Sequence, residues 1–247
     1  QLQVTPEQVA SPVVMTFRHF VNNLEARHDE EQLQSIAVVS AERGAGRSLV
    51  AANLARTLAL KECPSLLIDA DAGPDAARRP QQACATTGSA LGLMQVLNGS
   101  TTLKTALQKT DLDKLHCLGP GQPAKDQSIP LVLGGRRMAK FIDGLRRFHG
   151  RVVYDLPALQ GHETALEAAA AVGNVVLVLR SGWSRRAETR QLVELLNKRH
   201  INILGTLVID VPGHYLEQKQ SAGRQRNAGG KKTEERHHAN PDALQNA

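Results

Sequence analysis

The sequence predicts an α/β fold in which a mainly parallel β-sheet is covered by helices on both faces. Three observations predict it. Five short runs, Ile36 to Val39, Leu66 to Ile68, Val152 to Tyr154, Val175 to Leu179 and Leu204 to Ile209, are rich in β-branched residues and too apolar for half-exposed strands. Helical stretches separate these runs, and buried strands alternating with helices imply a sheet shielded on both sides. The length of 247 residues with 41% apolar composition suits one large α/β domain or two small ones.

The elements follow in order. Residues 1–34 read as a polar lead and then a helix from about Val13 to Ala26, with Phe17, Phe20, Val21 and Leu24 spaced for one apolar face that packs onto the main body. The clearest helix follows Ser48: Val50, Leu54 and Leu58 form a stripe that Ala51, Ala55 and Ala59 broaden. Further helices are expected over about Leu91 to Leu97, Arg137 to Arg147, Thr164 to Ala171 and Arg186 to His200. The core domain is assigned to residues 35–212. From 213 to 247 the chain has one aromatic residue, Tyr215, and few aliphatics, so a disordered polar tail is expected because burial cannot offset chain entropy. There is no internal repeat.

Composition narrows the function. Four Phe, two Tyr and one Trp are too few for a nucleic-acid reader built on stacking rings, and no nucleic-acid partner is expected. Cys63, Cys84 and Cys117 are scattered and lack a C-x-x-C pair. Neither a disulfide scaffold nor a zinc ribbon is expected, and a reducing cytoplasm is the natural compartment. No apolar run reaches the roughly 18–20 residues of a membrane span, and no basic segment followed by an apolar one marks a signal peptide. The formal charge of +6 is spread over pairs such as Arg78-Arg79, Arg136-Arg137, Arg146-Arg147, Arg185-Arg186 and Lys231-Lys232, which reads as solvated surface. His214, His237 and His238 lack spacing to further metal ligands.

The chemistry concentrates after the first strand. Ser35-Ile-Ala-Val-Val-Ser40 runs into Ala41-Glu-Arg-Gly-Ala-Gly-Arg-Ser48 and then into the clearest helix. This is the strand, loop and helix layout of a phosphate-binding P-loop. Small residues at Gly44, Ala45 and Gly46 let successive backbone N–H groups turn inward around a phosphate at the positive end of a helix, and the Ser48 hydroxyl is placed for Mg²⁺. Two positions depart from G-x-x-x-x-G-K-[ST]. Ala41 stands for the first glycine, and Arg47 for the lysine, where a planar guanidinium replaces a compact ammonium. Alone, the segment equally suits a tight strand-to-helix turn.

Acidic residues stop two other strands. Leu66-Leu-Ile-Asp69-Ala-Asp71 and Arg151-Val-Val-Tyr-Asp155-Leu-Pro157 each end an apolar run with carboxylates at the edge that faces the loop. Singly, such acids also serve as caps or turn formers. Beside a nucleotide they would hold the metal's water shell or orient an attacking hydroxyl.

With these residues in place, about positions 11–212 resemble the cytoplasmic domain of bacterial tyrosine kinases (BY-kinases) of capsule and exopolysaccharide systems, a branch of the ParA/MinD-type P-loop ATPases. Ser11-Pro12 with Phe17-Arg18 resembles the opening helix of that family, and Ser40 to Ala55 its Walker A motif. Leu66 to Asp71 resembles Walker A′, Gly92 to Gly99 a Gly-Leu-x-x-Val-Leu-x-Gly segment, and Val152 to Pro157 Walker B. Asn174 to Arg186 and Ile203 to Val208 resemble the last strands. The resemblance implies a P-loop NTPase fold with ATP and Mg²⁺ as cofactors. It carries over the loop Gly44, Ala45, Gly46, Arg47, Ser48 and Leu49 as nucleotide-binding, Ser48, Asp69 and Asp155 as metal-holding, and Arg47, Asp69, Asp71 and Asp155 as catalytic positions. It further implies a membrane polysaccharide chain-length regulator as partner, a homo-oligomer, and a cytoplasmic protein associated with the membrane through that partner.

The departures sharpen the expectation. Gly73 stands where Walker A′ usually has Arg, Leu156 where Walker B usually has Thr, and Ile209 where an adenine-reading Asn is common. The oligomerisation pattern Glu-x-x-Arg-x-x-Arg reads Met15, Arg18 and Val21, and the C-terminal tyrosine cluster is absent, with only Tyr215 near its place. The first expectation is therefore a BY-kinase-like protein with weakened or lost kinase chemistry, acting as a nucleotide-binding or regulatory partner. The alternative is an active tyrosine kinase or ATPase in which Arg47 does the lysine's work. A MinD/ParA-type dimerising switch is disfavoured because Glu42 stands where such proteins carry a second lysine.

Overall fold

The computed structural model describes residues 11–71, 91–121, 135–148 and 150–212. The expected polar tail with Tyr215, His214 and His237-His238, together with Arg78-Arg79, Lys231-Lys232, Gly73 and Cys84, lies outside the described residues. The chain divides into two units, Gln1–Ile209 and Asp210–Ala247, and the fold below belongs to the first.

Helix α1 (Pro12–Arg27) begins where the Ser11 hydroxyl accepts the Val14 N–H at 3.2 Å and Pro12 presets the first turn. It buries Val14, Phe17, Val21 and Leu24, while Phe20 is half-buried. A short helix α2 (Glu30–Gln34) escapes the apolar periodicity, but Asp29 and Gln32 form a reciprocal capping box that marks it. Strand β1 (Ser35–Val39) then leads through the glycine loop into α3 (Arg47–Leu60) and β2 (Ser65–Asp69). After these come α4 (Leu93–Leu97), α5 (Leu103–Ala106), β3 (Gln108–Lys109), β4 (Leu115–Leu118) and α6 (Arg136–Leu145). The fold closes with β5 (Arg151–Asp155), α7 (Glu163–Val172), β6 (Asn174–Arg180), α8 (Arg186–Lys198) and β7 (Asn202–Ile209).

The strands form a seven-stranded sheet in the order β3-β4-β2-β5-β1-β6-β7. Every pair is parallel except β3 with β4. The chain builds away from β1 through β2 and β4, inserts β5 between β2 and β1, and then adds β6 and β7 on the other side of β1. Such a reversal opens a crevice at the carboxyl ends of the central strands, and the glycine loop lies there.

Strand alternation divides the core in two. Ile36 and Val38 point to the layer of α1, α2 and α3, and Ala37 and Val39 to the layer of α4, α6, α7 and α8. Helix α3 is buried almost all round, since α1 covers its outer face, which is why alanines suit it as well as leucines. Its Arg56 is 2% exposed and meets the Asp111 carboxylate through two bonds of 2.6 and 2.5 Å. That guanidinium holds the Asp111 carboxyl below the usual carboxylate range.

The five predicted strands and the predicted helices are all present, with three corrections. Strand β7 forms the sheet edge and is half-exposed, Val208 standing 49% open, so its apolar run does not mark a strand buried on both faces. Leu115-His-Cys-Leu118 is a strand too short and too mixed for periodicity to find. Cys117 on that strand is disulfide-bonded, against the expectation of reduced, scattered cysteines, while Cys63 is free. Among the described residues no helix is long and apolar enough to cross a membrane.

Candidate functional site

The loop between β1 and α3 has the backbone that its glycines permit. Gly44 and Gly46 take left-handed φ values of +80° and +84°, which side chains disfavour, and Ala45 between them is buried. Gly46 is also the N-cap of α3 and brings no side chain to cap it, so the helix opens with first-turn N–H groups and the positive end of its dipole. Ser48 and Leu49 follow in that first turn, both half-buried. The outer strand-to-loop junction is tied to the segment after β5, where Leu159 and Gln160 donate N–H groups to the Ser40 and Ala41 carbonyls at 3.0 and 3.1 Å.

Asp69 and Asp155 are the last residues of β2 and β5 and stand opposite one another in parallel register. Val38 of β1 pairs with Asp155 on the other side, so both acids reach the strand edge from which the loop departs. Asp155 is buried, and its carbonyl accepts the Ala70 N–H at 3.0 Å. Asp69 Oδ1 accepts the Asp71 N–H at 3.0 Å, which turns the chain after β2 back toward the loop. The fold therefore assembles at one edge all the residues singled out in the sequence: Gly44 to Leu49, Asp69, Asp71 and Asp155.

Arg47 departs from the posture expected of a phosphate-reaching cation. Its side chain is 6% exposed, and Nη2 donates to Asp71 Oδ2 at 3.2 Å, the carboxylate itself being 8% exposed. The first position of α3 thus carries a cation built into the fold against the second acid of the β2 segment.

Two residues that local pattern did not mark as site residues hold the loop from outside. Trp183 Nε1 donates to the Arg43 carbonyl and Arg180 Nη1 to the Gly44 carbonyl, each at 3.2 Å. The Arg180 guanidinium lies 5.5 Å from the indole centroid. In the sequence Trp183 stands in a Ser-Gly-Trp turn after a strand, where it suits covering either the site or a partner surface; no local signal points to Arg180. Glu42 faces Arg185 at 3.5 Å. A cleft of about 480 Å³ opens beside the first limb of the loop, with Arg43, Gln160, His162 and Trp183 in its walls.

Comparison with known proteins follows from this geometry. No protein-family model matches the chain. Over 199 residues it is 28% identical to the tyrosine-protein kinase YwqD of Bacillus subtilis, a match spanning 78% of each protein. Over 185 residues it is 30% identical to the succinoglycan biosynthesis transport protein ExoP of Rhizobium meliloti, covering 69% of this chain and 23% of that one. Its fold superposes on the chimerical protein CapA2B2 with a TM-score of 0.71 and 26% identity, over 83% of this chain and 88% of that one. The chain is a homologue of the bacterial tyrosine kinases, the BY-kinases. The wider P-loop ATPase fold is visible as well. The septum site-determining protein MinD of Pyrococcus horikoshii, solved with Mg-ADP, matches 71% of this chain and 69% of its own with a TM-score of 0.57 and 23% identity, a likeness of fold alone.

Proposed function

We propose that this chain is a BY-kinase-like protein of capsule or exopolysaccharide biosynthesis whose loop binds Mg-nucleotide weakly and whose kinase chemistry is reduced, so that it acts as a nucleotide-sensing partner of a membrane chain-length regulator. The observation that carries the reading is the burial of Arg47 against Asp71. In phosphoryl transfer the protein contributes mainly positioning and charge, so a cation neutralised inside the fold is withdrawn from the developing negative charge. Loss of one such preorganised donor costs on the order of 10²–10³ in rate.

The remaining residues fit the nucleotide and its metal. Two left-handed glycines and the uncapped start of α3 offer backbone N–H groups to an anion. Ser48, Asp69 and Asp155 supply hard oxygen donors, the type Mg²⁺ requires, and would hold it through the Ser48 hydroxyl and the two strand-end carboxylates. The metal, when bound, would neutralise charge on the phosphates. The role in polysaccharide assembly is supported by the match to ExoP, named for succinoglycan biosynthesis transport; the regulator as partner is carried by the family resemblance.

Calorimetric titration of Mg-ATP and Mg-ADP into the natural chain and into Arg47→Lys tests the proposal. Weak binding by the natural chain and tighter binding by the lysine variant are expected. Equal, tight binding by both would overturn it. A second reading, an active kinase or ATPase that uses Arg47, draws on the pairing of Asp69 with Asp155 at the loop edge. Under that reading Arg47→Ala abolishes hydrolysis.

A further inference from the structure

The turn after β6 is stiff and lies against the outside of the glycine loop. Its hydrogen bonds close on themselves: the Trp183 and Ser184 N–H groups donate to the Arg180 carbonyl at 3.1 and 2.9 Å, and the Ser184 hydroxyl accepts the Arg180 N–H at 3.0 Å. From this platform come the two donors already described, Trp183 Nε1 to the Arg43 carbonyl and Arg180 Nη1 to the Gly44 carbonyl.

We infer that Arg180 and Trp183 are positioning residues that aim the Gly44 and Ala45 N–H groups into the concave side of the loop. A trans peptide is planar, so its C=O and N–H point in opposite directions. The Arg43 carbonyl shares its peptide with the Gly44 N–H, and the Gly44 carbonyl shares its peptide with the Ala45 N–H. Tying both carbonyls outward turns both amides inward. The left-handed Gly44 sits between these two peptides, and the indole lies beside it: a Cβ there would be in ordinary contact with Trp183 Cζ2, at 3.4 Å. The arginine, the indole and the glycine thus form one assembly in which the cation also stacks on the ring. The turn supplies order that the loop sequence, with its small residues, does not supply itself.

The inference rests on reading the loop as an anion cradle, but the tethers can be tested apart from that reading. Backbone ¹⁵N relaxation on the full chain without ligand, in the parent, Trp183→Phe and Arg180→Met, is the measurement. Phe keeps an aromatic ring beside Arg180 and removes the N–H donor together with the part of the indole nearest Gly44. Order parameters of the Gly44 and Ala45 amides are expected to fall from about 0.85 in the parent toward about 0.6 in each variant, while Val50 to Leu58 of α3 keep theirs. Unchanged order parameters at the loop in both variants overturn the inference, and so does a uniform fall across α3, which would mark general destabilisation. A second arm titrates pyrophosphate with Mg²⁺ and follows the emission of Trp183, the single tryptophan of the chain. If the parent chain shows no response to pyrophosphate, the cradle reading fails while relaxation still decides the tethers.

Discussion

Replacing Arg47 by methionine tests whether the cation is part of the fold. The variant keeps most of the side-chain volume and removes the charge, leaving the Asp71 carboxylate 8% exposed without its guanidinium at 3.2 Å. At that separation, with an effective dielectric constant of about 20, the gross attraction is about 5 kcal/mol. Desolvation of both ions offsets much of it, so the pair contributes less than this against an apolar replacement. Removing one partner is a different matter, because the other keeps its desolvation cost. The expected loss is about 3–5 kcal/mol. For a chain of this size that corresponds to a fall in melting temperature of roughly 6–20 °C. Urea unfolding followed by circular dichroism measures it directly, provided the denaturant slope is unchanged. The double variant Arg47→Met with Asp71→Leu should recover most of the loss, since both charges of the pair are then gone. A single variant within about 1 kcal/mol of the parent would refute the claim that Arg47 is a structural cation, and with it the main support for a weakened site.

Three further outcomes follow from the same physics. Asp111→Asn leaves the buried Arg56 with a neutral partner; because the Asp111 pKa is lowered in the fold, its contribution is present above the usual carboxylate range and is lost as pH falls through the depressed value, so the variant should flatten the acid limb of stability against pH. Gly46→Ala must adopt φ +84° and place a Cβ 2.2 Å from Ile209 Cδ1, and should cost on the order of 2 kcal/mol or more in thermal unfolding, partly recovered by Ile209→Val. Burial pushes the Tyr154 phenol well above the usual tyrosine range, so stability should fall as pH rises past about 10, and a Tyr215→Phe chain, in which Tyr154 is the remaining tyrosine, should show no tyrosinate absorbance until it unfolds.

What the sequence made legible was local. Val38-Val39, Leu66 to Ile68 and Val152 to Tyr154 announce central strands because both faces of each are buried, and the acids that stop the last two fall at the strand ends as read. The glycines at 44 and 46 announce a left-handed loop because few other residues accept that backbone. The unread features are contacts between distant positions. Arg47 and Asp71 are 24 residues apart, and Arg180 and Trp183 are 136 and 140 residues from the carbonyls they hold. No periodicity carries such pairings. The Asp29–Gln32 capping box, by contrast, was a local signal of α2 that apolar spacing alone passes over.

Three residues at departing positions beside the loop each meet a neighbour. Glu42, where MinD/ParA-type switches are expected to carry a lysine, faces Arg185; Ile209 brings its Cδ1 close to Gly46; Arg47 meets Asp71. These contacts hold the loop in shape while Arg47 lies buried against the fold. Loop geometry and phosphate chemistry can therefore be separated, and restoring the lysine should not be free of consequence. Lysine lacks the planar fork and holds its charge on a single flexible, strongly hydrated nitrogen, so it cannot reproduce the guanidinium's fit to Asp71. Arg47→Lys should tighten Mg-ADP binding and at the same time lower stability by about 1–2 kcal/mol, an opposition expected where one side chain serves both fold and site. Calorimetry and urea unfolding on the same preparation read the two effects together. A gain in affinity with stability unchanged would mean that the Arg47–Asp71 contact does not restrain the site.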